Sequence, residues 1–213
     1  MAITDSIKNQ LTKEAPDYEN NIKSKMPGFN LILEFPTCPN PDEKKIDFTA
    51  FVKSVDDNFG INYTTKKVYG RMDPVPTYEG TPRTIKFDLD IPSNGLAHSM
   101  IISDKLAILV KNLYPTYEKS GFVNVISSMP LVRIFFSNLI QGKNQEGLLG
   151  FFDSGISIKH DLTKGVFTRK GGFETYPKSY SLSFSFTALH EFTPGYIVDG
   201  GVYKNELTIL RKV

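Results

Sequence analysis

Two stretches of strict alternation constrain the fold of this chain more than any other feature. In SYSLSFSF (179–186) and in RTIKFDLDIP (83–92), apolar and polar residues take turns at successive positions. Neighbouring side chains of a strand point to opposite faces of a sheet, so each stretch predicts a strand with one core face. Antiparallel sheets accommodate this pattern, because one face packs on the core and the other stays polar. In the first stretch the predicted core residues are Tyr180, Leu182, Phe184 and Phe186.

The polar side of 179–186 is unusual because it consists of small neutral hydroxyls. Ser181, Ser183 and Ser185 stand where a strand facing water usually carries Lys, Glu or Arg. Large charged side chains are costly to bury, so serines suit a channel wall or a packed sheet or subunit contact. A serine-rich solvent face is the third interpretation, since antiparallel sheets often have one wet face.

The rest of the chain predicts a mainly β fold. Apolar residues in 96–117 recur every three or four positions, which indicates one helix inserted between strands. We expect 45–55 and 61–70 to form a hairpin that turns at DDNFG, and 70–82 to be a thirteen-residue loop. With no strand–helix–strand alternation, we expect two antiparallel sheets forming a sandwich or barrel with the helix attached.

The first 28 residues are predicted to form an N-terminal arm, and 29–213 the β domain. Segment 1–28 is polar, and its apolar residues at four-residue spacing (Ile3, Ile7, Leu11) allow a short helix but no independent domain. An arm that orders against another surface and a frayed terminus both fit this composition.

Composition argues against several classes of function. The 25 basic and 23 acidic residues leave a net charge of +2, which is no signature of polyanion binding. Cys38 is the sole cysteine, so an intrachain disulfide is impossible and folding in a reducing compartment is expected. No apolar run approaches the ~18 residues that a membrane helix needs, so we expect no membrane insertion.

Motifs for catalysis, metals and cofactors are absent from the sequence. HEFTP (190–194) has proline where a zinc-protease motif needs its second histidine, and His98 and His160 lack ligand spacing. Asp88 and Asp90 share a strand face, but Lys86 lies on the same face and favours an ordinary solvated surface. We therefore expect no cofactor, no metal and no enzymatic activity.

Two long segments resemble a known protein family. VYGRMDPVPTYEGTPRTIKFDLDIPS and, further on, LVRIFFSNLIQGKNQEGLLGFFDSGISIKHDL and YPKSYSLSFSFTALHEF are similar to the tube-like baseplate proteins of contractile bacteriophage tails. These proteins share the tail-tube fold with type VI secretion tubes. The likeness covers about 29–192 and lies in the order of the segments and in their residue character. It includes Tyr69, Gly70, Arg71, Asp73, Pro74, Tyr78, 113–115, the apolar strand 131–139, 147–150 and 176–177.

The resemblance implies a structural virion protein of the tail-tube type, assembled in the host bacterial cytoplasm. In that family, six copies form a ring at the baseplate that initiates or extends the tail tube and contacts hub and wedge proteins. Strands of adjacent subunits continue into a barrel around a channel. DNA and tape-measure protein are then only channel contents, and the serine side becomes a candidate channel wall. The same likeness fits a tube terminator, an ordinary tube subunit or a phage-derived injection device.

The predicted loop 70–82 carries a second hypothesis. Arg71, Asp73, Tyr78 and Arg83 form a polar and aromatic mix beside three prolines, as in a prearranged loop that docks on a neighbouring ring. An ordinary mobile loop is the alternative. For the whole chain, a monomeric β-barrel that binds a small ligand and an enzyme with an unrecognised site remain competing functions.

Overall fold

A computed structural model describes residues 30–120, 122–136, 139–140, 147–168, 174–191, 194–199 and 202–205. The predicted N-terminal arm, 1–28, lies outside these residues. The strands are β1 (Asn30–Glu34), β2 (Lys45–Thr49), β3 (Phe51–Phe59), β4 (Asn62–Lys66), β5 (Val75–Gly80), β6 (Arg83–Pro92), β7 (Thr116–Ser120), β8 (Val123–Ser128), β9 (Val132–Phe136), β10 (Leu148–His160), β11 (Val166–Thr168), β12 (Thr175–Pro177), β13 (Ser179–Ala188), β14 (Tyr196–Asp199) and β15 (Val202–Asn205), and the helix is α1 (Leu96–Lys111).

Seven of the described strands form one antiparallel sheet in the order β2-β1-β9-β10-β13-β6-β3. The other strands pair in four two-stranded sheets, β4–β5, β7–β8, β11–β12 and β14–β15. The prediction of a mainly β fold with antiparallel sheets and one helix is confirmed. The described strands do not close into a barrel, so that part of the prediction is wrong.

The alternation of 179–186 and 83–92 creates the core face of this sheet. Leu182 and Phe186 of β13 are fully buried, and Phe184 stacks on Phe87 of β6 with ring centroids 4.8 Å apart. The register Leu182↔Leu89 and Phe184↔Phe87 keeps apolar residues opposite each other on neighbouring strands. Cross-strand pairs of this kind are the unit of sheet stabilisation.

Helix α1 covers the apolar face of the sheet. Ile102, Leu106 and Leu109 are buried among the core residues. At its start, Ser99 Oγ donates to the carbonyl of Pro177 over 2.7 Å, and at its end Asn112 Nδ2 donates to the carbonyl of Glu43 over 3.0 Å. A sheet with one covered face needs no second sheet for its core.

The helix begins where the sequence predicted but ends earlier than the predicted 117. The backbone N–H of Asn112 caps it by donating to the carbonyls of Ile108 and Val110. Pro115 disfavours a helical conformation at the residue before it and cannot continue the helical hydrogen bonds. The chain then becomes extended, and Tyr117 pairs with Ile126 across the β7–β8 hairpin.

One long β-ribbon replaces the hairpin and the loop that were expected between 45 and 82. Asp56–Asp57 do not turn but continue β3, which pairs with β6 up to Phe59↔Arg83. Gly60 N–H then donates to the carbonyl of Pro82, and β4 pairs with β5 from Asn62↔Gly80 to Lys66↔Val75. The real turn is 67–74. Pro76 is tolerated within β5 because β5 is an edge strand of a two-stranded ribbon.

Candidate assembly surfaces

The serine side of β13 faces carboxylates from the adjacent strand β6. The register places Ser181 opposite Asp90 and Ser183 opposite Asp88. Ser181 Oγ donates to Asp90 Oδ1 over 2.5 Å, and Ser183 Oγ donates to Asp88 Oδ1 over 3.1 Å. β13 has no charged side chain on this side of the sheet. The neighbouring strand β6 supplies them, because its own alternation places Asp88 and Asp90 on the same side.

Asp90 is the most strongly bound carboxylate on this side. Lys53 Nζ lies 2.8 Å from Asp90 Oδ1, and Lys164 Nζ lies 3.3 Å from Oδ2. Burial raises the pKa of Asp90, but the hydrogen bonds from Lys53, Ser181 and Lys164 outweigh it and lower that pKa to about 2. A carboxyl held ionised at neutral pH does not suit the general-acid role that an Asp88–Asp90 pair would need.

An open depression of about 520 Å³ lies on the same side of the sheet. Irregular pairing at 52–54 of β3 and at 152–156 of β10 borders it. Ser185 lines it while only 8% exposed, so of the three predicted serines it is the most deeply buried. Eight of its twelve lining residues are polar and it opens to solvent, unlike the enclosed apolar cavity typical of a barrel that binds a small ligand. Its polar members are Ser54, Asp56, Lys86, Asp88, Ser154, Ser157, Ser183 and Ser185.

The four residues of the predicted docking loop are separated by the ribbon. Arg71 and Asp73 are exposed in the 67–74 turn, and Tyr78 is exposed on β5 with its ring edge-on to Tyr63, 5.8 Å between centroids. Arg83 does not belong with them, because it is only 3% exposed at the start of β6.

Arg83 is instead an internal anchor at the base of the ribbon. Its Nη2 lies 2.6 Å and its Nε 2.9 Å from the carboxylate oxygens of Asp57 on β3, and its guanidinium lies 5.2 Å from the ring centroid of Phe59. A bidentate ion pair with a planar cation over an aromatic ring is a geometry that arginine favours. The burial of Arg83 and its ion pair with Asp57 of β3 argue against a docking role for this residue.

The outer hairpin, defined as β4, the 67–74 turn and β5, projects beyond the seven-stranded sheet. Tyr69 and Met72 at its tip are fully exposed. Single exposed apolar residues are ordinary, but a contiguous set of them marks an interaction surface. The exposed large side chains of the outer hairpin and its approach are Ile61, Tyr63, Val68, Tyr69, Met72 and Tyr78.

A second hairpin, β7–β8, is equally exposed and was missed by the sequence analysis. Phe122 is fully exposed, and five of the six residues of β8 are exposed. The signal was present in GFVNVISS (121–128), which combines β-branched and aromatic residues with no charged side chain. The exposed large side chains here are Tyr114, Tyr117, Phe122, Val123, Val125, Ile126 and Met129.

The histidines and the cysteine have local structural contacts. His98 Nδ1 accepts from the backbone N–H of Asn94 over 3.3 Å, and the His160 ring lies edge-on to Tyr180. Burial and the nearby Arg83 cation lower the pKa of His190. Cys38 Sγ donates to the carbonyl of Asn40 over 3.4 Å.

Within the described part of the chain, no group of three or more His, Cys, Asp or Glu side chains is arranged to hold a metal ion. The same residues include no helix with the length and apolar character needed to cross a bilayer. No protein-family model matches this chain, and neither does any curated protein sequence.

Proposed function

We propose that this protein is a structural, non-enzymatic subunit that assembles into a hexameric ring at the baseplate end of a contractile phage tail. In this role it initiates or extends the tail tube and contacts tube, hub and wedge proteins. The tail-tube resemblance of 29–192 suggests the particle. The observation that carries the proposal is structural: two hairpins, separate from the seven-stranded sheet, bear large apolar side chains in water, while the core face of that sheet is already covered.

Exposed apolar hairpins favour an assembly role for a physical reason. A two-stranded hairpin is marginally stable in water unless further strands or a packing face support it. Phe122, Val125 and Tyr69 would each leave water when a neighbouring chain covers them, and the removal of apolar surface from water favours association. In an isolated monomer these apolar side chains stay in water, so the monomer does not gain this stabilisation.

The serine side fits the wall of a channel within this proposal. Ser181 and Ser183 already donate to Asp90 and Asp88, so their hydroxyls are engaged within the sheet. Lys53 and Lys164 neutralise part of the carboxylate charge. Short, internally bonded side chains with balanced charge offer few strong contacts to a polymer that slides past them.

Electron cryomicroscopy of the protein together with tail tube, hub and wedge proteins tests the proposal. We expect six copies around the tail axis, with the serine side of β13 facing the channel. A ring in which Ser181, Ser183 and Ser185 face bulk water outside the tube would contradict the channel-wall role, but it would not contradict ring formation. A protein that never joins a tail particle and remains monomeric at high concentration would overturn the function itself.

A further inference from the structure

We infer that the open depression on the serine side of the sheet is a binding site for a small, uncharged saccharide. The depression lies within one copy of the chain, among β3, β6, β13 and β10. The inference therefore goes beyond the proposed function, and it holds or fails whether or not the protein forms a ring.

The polar lining of the depression stands in two rows across these four strands. One row consists of Asp56, Lys86 and Ser185. The other row consists of Ser54, Asp88, Ser183 and Ser157. Rows two residues apart along a strand lie about 7 Å from each other, and four neighbouring strands span about 14 Å. The volume of about 520 Å³ is within the usual range of small-molecule sites, so one or two sugar rings can be accommodated.

An irregularity in β10 makes room for a ligand beside the rows. Residues 153–155 of β10 stand against the single residue Ser185 of β13, where regular pairing is interrupted. Gly155 has a φ of 79° in this segment, a conformation that glycine adopts without strain. A bulge bends its strand and leaves the extra residues out of the ladder. Ser185 therefore has no register partner on β10, and the depression lies at this break.

The side chain of Ser185 is the observation that points to a ligand. Ser185 lines the depression while only 8% exposed, and its hydroxyl has no hydrogen-bond partner among the described residues. Ser183, two residues earlier on the same strand, donates to Asp88 instead. Nearly buried polar groups are usually hydrogen-bonded, because an unmade bond leaves the cost of desolvation uncompensated. A hydroxyl of a ligand in the depression would supply the missing partner.

The charges around the depression favour an uncharged ligand. Lys86 lies opposite Asp56 of β3, and Asp88 follows two positions later on the same face of β6. The ammonium group repels a metal cation, and the two carboxylates repel a phosphate or another anion. Among the described residues Lys86 forms no ion pair, so its ammonium can donate to a ligand.

The hydrogen-bonding capacity of the lining narrows the class to saccharides. A carboxylate only accepts, an ammonium only donates, and a serine hydroxyl does both. A sugar hydroxyl also does both, so neighbouring hydroxyls of one ring can donate to Asp56, accept from Lys86 and bond to Ser185. The half-buried Ile156 adds an apolar contact for the C–H face of the ring. An apolar compound would leave these polar groups unpaired.

Two-dimensional NMR of the whole chain, labelled with nitrogen-15, tests this inference. The probes are glucose, galactose, mannose, N-acetylglucosamine, maltose and lactose, each at up to about 50 mM. We expect at least one of them to shift the amide signals of 153–157, Lys86 and Ser185 with a millimolar dissociation constant, while β7–β8 is unchanged. Failure of all these sugars, or shifts confined to another part of the chain, overturns the inference.

Three further probes at the same concentration represent the other ligand classes. Inorganic phosphate is an anion, Ca²⁺ is a cation, and glycine is a zwitterion that could place its amine on a carboxylate and its carboxylate on Lys86. Binding of any of them in the depression, when no sugar binds there, also overturns the inference.

A matched pair of serine variants provides the second measurement. Ser185→Ala removes a hydroxyl that lines the depression but no internal hydrogen bond, so it should weaken sugar binding about three- to tenfold with an unchanged Tm. Ser181→Ala makes the same substitution on the same side of β13, outside the depression, where the hydroxyl donates to Asp90. It should leave the dissociation constant of the sugar unchanged. Equal dissociation constants for the two variants would overturn the inference.

Discussion

Asp90 is the residue around which the polar side of the sheet is organised. It accepts hydrogen bonds from Ser181 on β13 and from Lys53 and Lys164, so three separate segments meet at one carboxylate. These contacts lower its pKa from the ordinary 3.8 to about 2, against the opposing effect of burial. A group with a depressed folded-state pKa stabilises the fold above its unfolded pKa and loses that contribution as pH falls through its folded pKa.

We predict that Asp90→Asn lowers the free energy of unfolding by about 1–2 kcal/mol at pH 7, since one pKa unit corresponds to ~1.4 kcal/mol and Lys53 is partly solvated. The difference from the natural protein should shrink by about half on acidification to pH 3 and vanish only below pH 2. Urea unfolding at several pH values measures it. A difference that stays constant from pH 7 to pH 3 would contradict the depressed pKa, and Asp73→Asn in the exposed turn is the control.

Arg83 offers a second prediction at the residue scale. Arg83→Ala removes the buried partner of Asp57 and should lower the free energy of unfolding by about 2 kcal/mol. Arg71→Ala, at an exposed position of the 67–74 turn, should change it by less than about 0.5 kcal/mol. Chemical denaturation of the two variants distinguishes an anchor from a docking residue; comparable losses for both would refute the anchor role of Arg83.

At the scale of elements, α1 stabilises the sheet through one face only. Leu109 has 0% exposure and faces the core, while the next residue, Val110, is 38% exposed. Adjacent helical residues point in directions about 100° apart, so a buried residue and a largely solvated one can be neighbours in sequence. The helix takes the place of the second sheet that we expected from the absence of strand–helix–strand alternation.

Leu109→Ala and Val110→Ala therefore form a matched pair. We expect Leu109→Ala to cost about 2–5 kcal/mol of unfolding free energy through lost burial and a cavity. The neighbouring Val110→Ala should cost less than about 1 kcal/mol because its side chain is already partly in water. The midpoint of guanidinium unfolding measures both, and a larger loss at Val110 would mean that α1 packs through another face.

The whole molecule combines a stable centre with two exposed hairpins. The outer hairpin and β7–β8 carry fully exposed residues such as Met72 and Phe122, which contribute little to the stability of a monomer. Their contribution should appear only when a second chain covers them, because burial of apolar surface is what stabilises an interface. Stability should accordingly rise with protein concentration.

We predict that Arg71→Ala and Met72→Ser, at the tip of the outer hairpin, leave the monomer Tm within about 2 °C of the natural protein but impair stacking onto a neighbouring ring. Tyr78→Ala is a weaker probe, since its ring also contacts Tyr63 within the hairpin. Thermal unfolding and negative-stain counts of assembled tubes measure the two effects. Leu162→Ser, exposed in a 3-10 turn outside both hairpins, is the control. Normal assembly of both tip variants would reject the docking hypothesis.

Local periodicity was sufficient to predict the strands with one buried face. β6 and β13 could be predicted from alternation alone, and the helix from the three-to-four spacing after Leu96, because burial of one face requires that periodicity. The exposed ribbon was not predictable in this way. Its strands β4 and β5 bury almost nothing, so no apolar alternation marks them, and Pro74 and Pro76 are typical of a loop.

The sequence by itself determined that the chain is mainly β, that 179–186 has an apolar and a hydroxyl side, and that a helix interrupts the strands. Only the tertiary structure decided what these parts contact: Asp88 and Asp90 for the serines, Asp57 for Arg83, and α1 for the apolar face of the sheet. The physical reason is sequence separation. Ser181 and Asp90 are 91 positions apart, and strand order, which local patterns do not encode, brings them within one hydrogen bond.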